Sequence, residues 1–421
     1  CGTTCSTWPR TRILSHSPIM VKPFIALEVS YTIKLTEKVA IVGVGMTRFG
    51  KREDADTKEL GFEALKVALE DVPKLSKKDI NMLVVGYAWG YTATRNPAGE
   101  LAEYARLSPV PGFDVHAQCS SSTVATITGW SFIRSGFAKV VAAVGVQKMS
   151  ELSGREVQRV MGQSADSSLE APLGMSMPTA YALRAKAYME KYGAKEEDLA
   201  LIRVKASEYS SKNPYAMFRQ KYTVDDVMKS RPVSLPLKLL DCAANADGAA
   251  AVILASEDVA TKLTDTPVWI KGVGLATGQQ TVRGVPDLTQ FLPTVEATNM
   301  AYKNANIEPS QVQVAETHDC FTISEILDYE DMGFFPRGEG YRAIRDGQTY
   351  VGGKVAVNVS GGLLGRGHPV GATGAAQIFA ITRWLRGDAV GDIRVPAELG
   401  VAYTRGGVGT YAAAVVLSRR P

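Results

Sequence analysis

The sequence predicts an α/β fold made of two similar halves. Short, continuously apolar runs ending near glycine alternate with helical patterns, the signature of strands buried on both faces. The same order of runs occurs twice, first over residues 39–256 and again over residues 268–418. Three loops bearing reactive side chains, around Cys119, His318 and His368, each lie where an apolar run gives way to a helical pattern. In open α/β sheets, sites form at such junctions.

With 421 residues, 45% of them hydrophobic, the chain can bury a large core and is read as a soluble globular protein. No apolar run approaches the ~20 residues that a membrane span needs. The formal charge of +4 resides mostly in residues 1–38. There, Arg10, Arg12, Lys22, Lys34 and Lys38 face only Glu28 and Glu37, which leaves +1 for the rest. A nucleic-acid partner is therefore not expected. Residues 1–37 are set apart as an N-terminal extension. Ser- and Thr-rich, with no acid before Glu28, they resemble a mitochondrial transit peptide or a leader ending near Met20. A mitochondrial or cytoplasmic location is expected. The five cysteines, Cys1, Cys5, Cys119, Cys242 and Cys320, form neither a disulfide framework nor a metal pattern.

Taken in order, residues 38–149 make up most of the first half. Residues 39–45 are a strand candidate. Its glycines do not match dinucleotide-loop spacing, because Arg48 stands where the third glycine would be. A helix is predicted over 57–69 and a strand over 82–86. After Cys119, the apolar residues Val124, Ile127, Trp130 and Ile133 recur at helical spacing up to Gly136. Ser120 to Thr123 are candidates to cap that helix, and residues 140–145 form another strand. Residues 150–234 lose the strand rhythm and read as an inserted loop subdomain that shapes the substrate pocket. Residues 235–266 complete the first half through a strand at 248–255. The second half, 267–421, repeats the order. Residues 268–274 answer 39–45, residues 312–315 answer 82–85, and residues 409–418 answer 248–256. His368 precedes a helix over 372–386 as Cys119 precedes its own.

Residues 358–374 hold six glycines around His368. After residue 16 the chain has three histidines, His116, His318 and His368, and the first reads as structural. A thiolate is the nucleophilic form of cysteine, and the partial positive charge at a helix N-terminus can lower the thiol pKa. A neighbouring imidazole can take the thiol proton, and a second cysteine can handle another. Glycine-rich loops and imidazole N–H groups supply donors for an oxyanion. The cluster Cys119, His318, Cys320 and His368 thus has the groups for acyl transfer, whereas Cys242 reads as a small buried hydrophobe.

At these residues the chain resembles the thiolase superfamily, within it the sterol-carrier-protein-type and archaeal acetoacetyl-CoA thiolases. The matching stretches are Ala117-Gln-Cys-Ser, His318-Asp-Cys-Phe321, Gly367-His-Pro-Val-Gly-Ala-Thr-Gly374 and Gly406-Gly-Val-Gly409, and the segment from 338–341 through 347–353 also resembles the archaeal-type enzymes. The resemblance covers residue 38 to the end. It implies a five-layered α/β/α/β/α fold with two mixed sheets, assembled as a homodimer or homotetramer. It implies CoA thioesters as substrates, coenzyme A as co-substrate, and neither a permanently bound cofactor nor a metal. Cys119 would carry the acyl group, His368 would activate it, and Cys320 would be the acid/base. His318 and His368 would hold one oxyanion, and the N–H groups of Cys119 and of Gly406 or Gly407 a second. The implied reaction is cleavage of a 3-ketoacyl-CoA with CoA, or the reverse Claisen condensation of acetyl-CoA. Two departures stand out: Tyr403-Thr404-Arg405 where relatives tend to have His-Asn, and Gln118 with Ser120 to Ser122 around the nucleophile. Alternatives are a retro-aldolase or lyase acting on a CoA thioester, and a non-catalytic lipid- or CoA-binding protein.

Overall fold

A computed structural model describes residues 38–421; the expected N-terminal extension, residues 1–37, lies outside the described residues. Twelve strands are present among them: β1 (Val39–Met46), β2 (Met82–Gly86), β3 (Gly112–Val115), β4 (Val140–Gln147), β5 (Pro232–Ser234), β6 (Leu237–Lys238), β7 (Gly248–Ser256), β8 (Val268–Thr277), β9 (Val314–Glu316), β10 (Ala356–Val357), β11 (Leu399–Gly406) and β12 (Tyr411–Ser418). Only β5 and β6 stand apart, as a small hairpin.

The remaining ten strands follow the order β10-β9-β11-β12-β8-β1-β7-β4-β2-β3. Each half contributes five strands in the same arrangement. In the first half β2 pairs in parallel with β3 and β4, and β7 runs antiparallel to β4 and β1. In the second half β9 pairs in parallel with β10 and β11, and β12 runs antiparallel to β11 and β8. The duplication expected from the sequence is therefore a duplication of topology. The two mixed sheets are joined through Ala40↔Trp269 and Ile41↔Val268, so hydrogen bonding continues across all ten strands.

Matching glycines show how the outer helices dock. A Cβ on Gly45 of β1 would lie 2.2 Å from the carbonyl of Ala64 in the helix Thr57–Glu70. One on Gly274 of β8 would lie 1.9 Å from the carbonyl of Ala297 in the helix Leu292–Ala305. These glycines let a helix backbone lie directly on its strand.

The helices Ser121–Arg134 and Thr373–Leu385 pack against each other between the two sheets. Their central core joins Ile127 and Ile378 to Ile41, Val252 and Val415. Each fully buried aliphatic side chain contributes about 1.5–3 kcal/mol by leaving water. The five layers follow from this arrangement, with both reactive-loop helices in the middle one.

Besides the small hairpin β5–β6, three strands of the large sheet escaped the sequence reading: β3 and β10 are short edges, and β11 carries Tyr403, Thr404 and Arg405 within an otherwise apolar run. Residues 150–234 hold the helices Gly154–Gly162, Met177–Tyr192, Glu196–Ser210 and Val224–Lys229. Among the described residues no helix is long and apolar enough to cross a membrane.

Candidate active site

Cys119 sits in the turn Gln118–Ser120, directly before the helix Ser121–Arg134. The turn is sharp enough to put Gln118 at φ +53°. The expected serine cap is absent, since Ser120 makes no side-chain bond to the helix end. Its neighbours act instead. Ser121 Oγ donates to the Gln118 carbonyl at 2.6 Å and accepts the Ala117 N–H at 3.0 Å, which braces the turn. Ser122 Oγ accepts the Ala375 N–H at 3.0 Å, and Thr123 Oγ1 meets Thr404 Oγ1 at 2.7 Å. The polar run after the nucleophile thus ties its helix to the other half.

His368 enters from the glycine-rich loop with its N–H on the Ala244 carbonyl at 2.9 Å. Its Nδ1 lies 2.7 Å from Thr373 Oγ1, whose own hydrogen points to the Pro369 carbonyl at 3.1 Å. That assignment puts the ring proton on Nδ1 and leaves the Nε2 lone pair for Cys119. His318 follows β9, and its N–H donates to Asp328 Oδ2 at 3.1 Å. Its Nδ1 is buried without a partner. The two imidazoles meet edge to face with centroids 5.2 Å apart.

The donor atoms of Cys119, His318 and His368 all lie within 4.8 Å of one another. Cys320 stands beside them, close enough for its charge to act on Cys119, with Sγ 3.6 Å from Ser324 Oγ. The structure therefore brings all four predicted reactive side chains together. Cys119, His318 and His368 could also ligate a soft divalent ion, but the buried guanidinium of Arg405 acts on the same space and opposes added positive charge.

Although part of Cys119 reaches the cleft, the surrounding protein dominates. Burial pushes its thiol up to about 12, with Cys320 adding to the rise. Against this work the N–H groups of Gly407 and of Cys119 itself, both bonded to the thiol, and the charge of Arg405. The lowering expected from the helix N-terminus is outweighed. Burial, reinforced by Arg366, pulls His368 down to about 3. His318 is held well below the usual imidazole value by burial, by His368 and by Arg405. At neutral pH the resting site holds a neutral thiol and two neutral imidazoles.

Of the two expected backbone donors, Gly407 is the one aimed at Cys119. Gly406 still belongs to β11, opposite Tyr411. Asp319, the middle residue of His318-Asp-Cys320, accepts the N–H groups of Leu363 at 2.8 Å and Leu364 at 3.4 Å. Its carboxylate fills the space beside Gly362, where a Cβ would lie 2.0 Å from Oδ2. That contact docks the glycine-rich loop onto the loop carrying His318 and Cys320.

A cleft of about 600 Å³ opens onto Cys119, Gln118 and Gly407. Trp89, Tyr91, Met161, Met177 and Val370 form its apolar wall, and His116, read as structural, also lines it. Cys242, read as a buried hydrophobe, is only partly buried and donates to the Lys238 carbonyl at 3.4 Å.

Residues 39–258 match the family Thiolase, N-terminal domain, and residues 245–419 match Thiolase C-terminal domain-like. The chain belongs to the thiolase family of acyltransferases. It is 39% identical to an acetyl-CoA acetyltransferase of Methanothermobacter thermautotrophicus, across 90% of this chain and 99% of that one. It is 35% identical to sterol carrier protein 2 of Oryctolagus cuniculus, across 85% of this chain and 68% of that one. Among solved structures, the Ltp2-ChsH2(DUF35) aldolase superposes with a TM-score of 0.80 at 25% identity, covering 92% of this chain and 99% of that one.

Within this thiolase, sequence reasoning missed the groups behind Cys320. Arg405, fully buried on β11, pairs with buried Asp328 at 2.5 Å and lies 3.7 Å from the ring centre of Phe291. Tyr181, from residues 150–234, donates to the Gly407 carbonyl at 3.2 Å, with its hydroxyl facing the Cys320 thiol. The one available signal was an arginine inside a run of strand-forming residues.

Proposed function

We propose that this thiolase cleaves a 3-ketoacyl-CoA with coenzyme A, or runs the same steps backwards to join two acetyl-CoA molecules. The observation carrying the reading is the convergence of Cys119, His318 and His368 within 4.8 Å, with Cys119 lining the cleft and Cys320 beside it.

Because thiol and imidazole both rest neutral, the Cys119 proton moves to His368 Nε2 as sulfur attacks the 3-keto carbon. The oxygen that becomes negative faces the N–H groups of Cys119 and Gly407. Collapse breaks the bond between carbons 2 and 3. The electron pair passes to carbon 2, giving an enolate whose thioester oxygen lies against His318 and His368. Cys320 then gives its proton to carbon 2, acetyl-CoA leaves, and Cys119 retains the shortened acyl group. In the second stage the incoming CoA thiol gives its proton to the Cys320 thiolate. Its sulfur attacks acyl-Cys119, and the released thiolate regains its proton from His368. Cys119, His368 and Cys320 thus end as they began, the proton of the CoA thiol replacing the one that Cys320 gave to carbon 2.

In this reading the two halves, residues 38–149 with 235–266 and residues 267–421, supply the reactive loops, and residues 150–234 supply much of the cleft wall. The edge strand β3 leaves one side of its backbone unpaired and exposes Phe113 beside it, a surface suited to pairing in a homodimer.

The test is thiolysis of acetoacetyl-CoA and longer 3-ketoacyl-CoAs by the purified protein. Turnover with an acylated Cys119 peptide, lost in Cys119→Ala, supports the reading; undiminished turnover in that variant refutes it. The resemblance to an aldolase structure favours one competitor, a carbon–carbon lyase. Tyr403, one of the departures from the family pattern, has its hydroxyl 2.6 Å from Thr294 Oγ1 and no exposed surface, away from the cleft lining. A lyase would turn over without an acylated Cys119.

A further inference from the structure

We propose that Tyr181 and Arg405, with Asp328, are positioning residues that hold the Cys320 thiol in place and decide when it gives up its proton. The proposal rests on reading Cys320 as the acid/base.

A fully buried guanidinium is costly unless it is paired, and a well-packed apolar pair would often be as stable. Stability alone therefore gives little reason for a cation at this place. Arg405 is held from several sides. Besides Asp328 at 2.5 Å and Phe291 at 3.7 Å, its Nη2 lies 3.5 Å from the His318 carbonyl and its Nε 3.4 Å from Tyr181 Oη. Arg184 lies 3.8 Å from the centre of the same Phe291 ring. The Arg405 charge is thereby fixed next to the loop that carries His318 and Cys320.

Tyr181 connects that charge to the thiol. Its ring stacks on Phe321, the residue after Cys320, with centroids 4.5 Å apart and planes 27° apart. Its oxygen accepts from Arg405, and its single hydrogen has two acceptors within reach, the Gly407 carbonyl and the Cys320 sulfur. While Cys320 is a thiol, the hydrogen can stay on Gly407, whose own N–H faces Cys119. Once Cys320 has given its proton away, rotation of the hydroxyl brings a donor to the thiolate. The same phenol thus braces the Gly407 turn in one state and the acid/base in the other.

The groups facing Cys320 can be weighed. Burial raises its thiol pKa, and Asp328 adds to the rise. Arg405 opposes most strongly, followed by the hydrogen bonds from Ser324 and Tyr181. Cys320 in turn acts across the site on the thiols of Cys119 and Cys242. Around Arg405 itself stand Asp328, Tyr403, Tyr181 and Cys320, with Arg184 and His318 further round.

The experiment reads Cys320 directly, without turnover. In a Cys119→Ala background, the rate of Cys320 alkylation by iodoacetamide is followed against pH by peptide mass spectrometry. Adding Tyr181→Phe should raise the pH midpoint by about one unit, because the thiolate loses a donor. Adding Arg405→Met together with Asp328→Asn, which avoids stranding a buried carboxylate, should raise it further. Arg405→Lys should restore most of the shift. In enzyme retaining Cys119, the pH profile of kcat should move with the alkylation midpoint. Unchanged midpoints in both the Tyr181→Phe and the double variant, with melting temperatures showing folded protein, overturn the proposal. A failure of thiolysis on every substrate would refute the functional reading but leave the alkylation result interpretable, so the two failures are distinct.

Discussion

His318 and His368 meet edge to face with their ring centroids 5.2 Å apart, although they arrive from loops fifty residues apart in the sequence. Two buried imidazoles at that separation resist charging together. Burial keeps both rings neutral at rest, helped by Arg366 at His368 and by His368 and Arg405 at His318.

The neutrality of His368 has a cost that depends on pH. Its folded-state pKa of about 3 lies below the ~6.5 of an unfolded histidine. The folded state therefore keeps its full stability above that unfolded value and loses it as pH falls toward 3, because the unfolded chain takes up the proton first. At pH ~5 the loss should be about 2 kcal/mol. Urea melts at pH ~7 and ~5 should show a smaller pH-dependent loss in His368→Asn than in the native chain. Equal losses in the two proteins would contradict the assignment.

Thr373 orients His368 by accepting its Nδ1 proton at 2.7 Å. Thr373→Val keeps the shape and removes the acceptor, so the other ring tautomer becomes available. We expect kcat to fall by roughly 10- to 100-fold, as for other orienting groups. Thr373→Ser should recover most of the activity. A steady-state comparison with 3-ketoacyl-CoA checks it, and a kcat unchanged in Thr373→Val would refute the orienting role.

Gly362 should tolerate nothing larger. Its φ is +57°, and an added Cβ would lie 2.0 Å from the Asp319 carboxylate that caps Leu363 and Leu364. Gly362→Ala combines a disfavoured backbone with a clash, at a cost of about 2–4 kcal/mol. Denaturant midpoints should record it. Gly154, with nothing within 4 Å of an added Cβ, is a control whose alanine variant should stay close to native.

Met161 and Met177 form part of the cleft wall beside Cys119. Shortening one side chain makes room for a longer acyl group. Met161→Ala should shift the preferred 3-ketoacyl-CoA by one or more methylenes, each about 0.8 kcal/mol of burial in the ratio of kcat/KM values. A ladder of chain lengths measures the shift, and an unchanged preference would show that the acyl chain lies elsewhere.

The legible parts of the chain were those whose signals are local. The strands β1, β2, β4, β7 and β12 are almost wholly apolar because both faces are covered, and the first residues of β8 share that pattern. The helix Thr57–Glu70 declares itself by periodicity, with an Asp56 and Glu59 capping box. β11 was missed because Thr404 and Arg405 look like surface residues, yet Thr404 bonds Thr123 and Arg405 pairs with Asp328. Both make sense only once their partners, far away in sequence, are in place. The serine run after Cys119 misled in the same way: side chains suited to capping a helix were taken up by the other half.

The sequence by itself determined the doubled α/β order and the identity of Cys119, His318, Cys320 and His368. These rest on local periodicity and on residue chemistry that does not depend on neighbours. Tertiary structure alone decided that the four side chains converge, that the backbone of Gly407 faces Cys119, and that Gly362 makes room for the Asp319 carboxylate. It also decided the charge state of the site, since burial moved the Cys119 thiol to about 12 against the pull of a helix end. Desolvation and through-space charge depend on what is packed around a group, and that is settled only when both halves close on the central pair of helices.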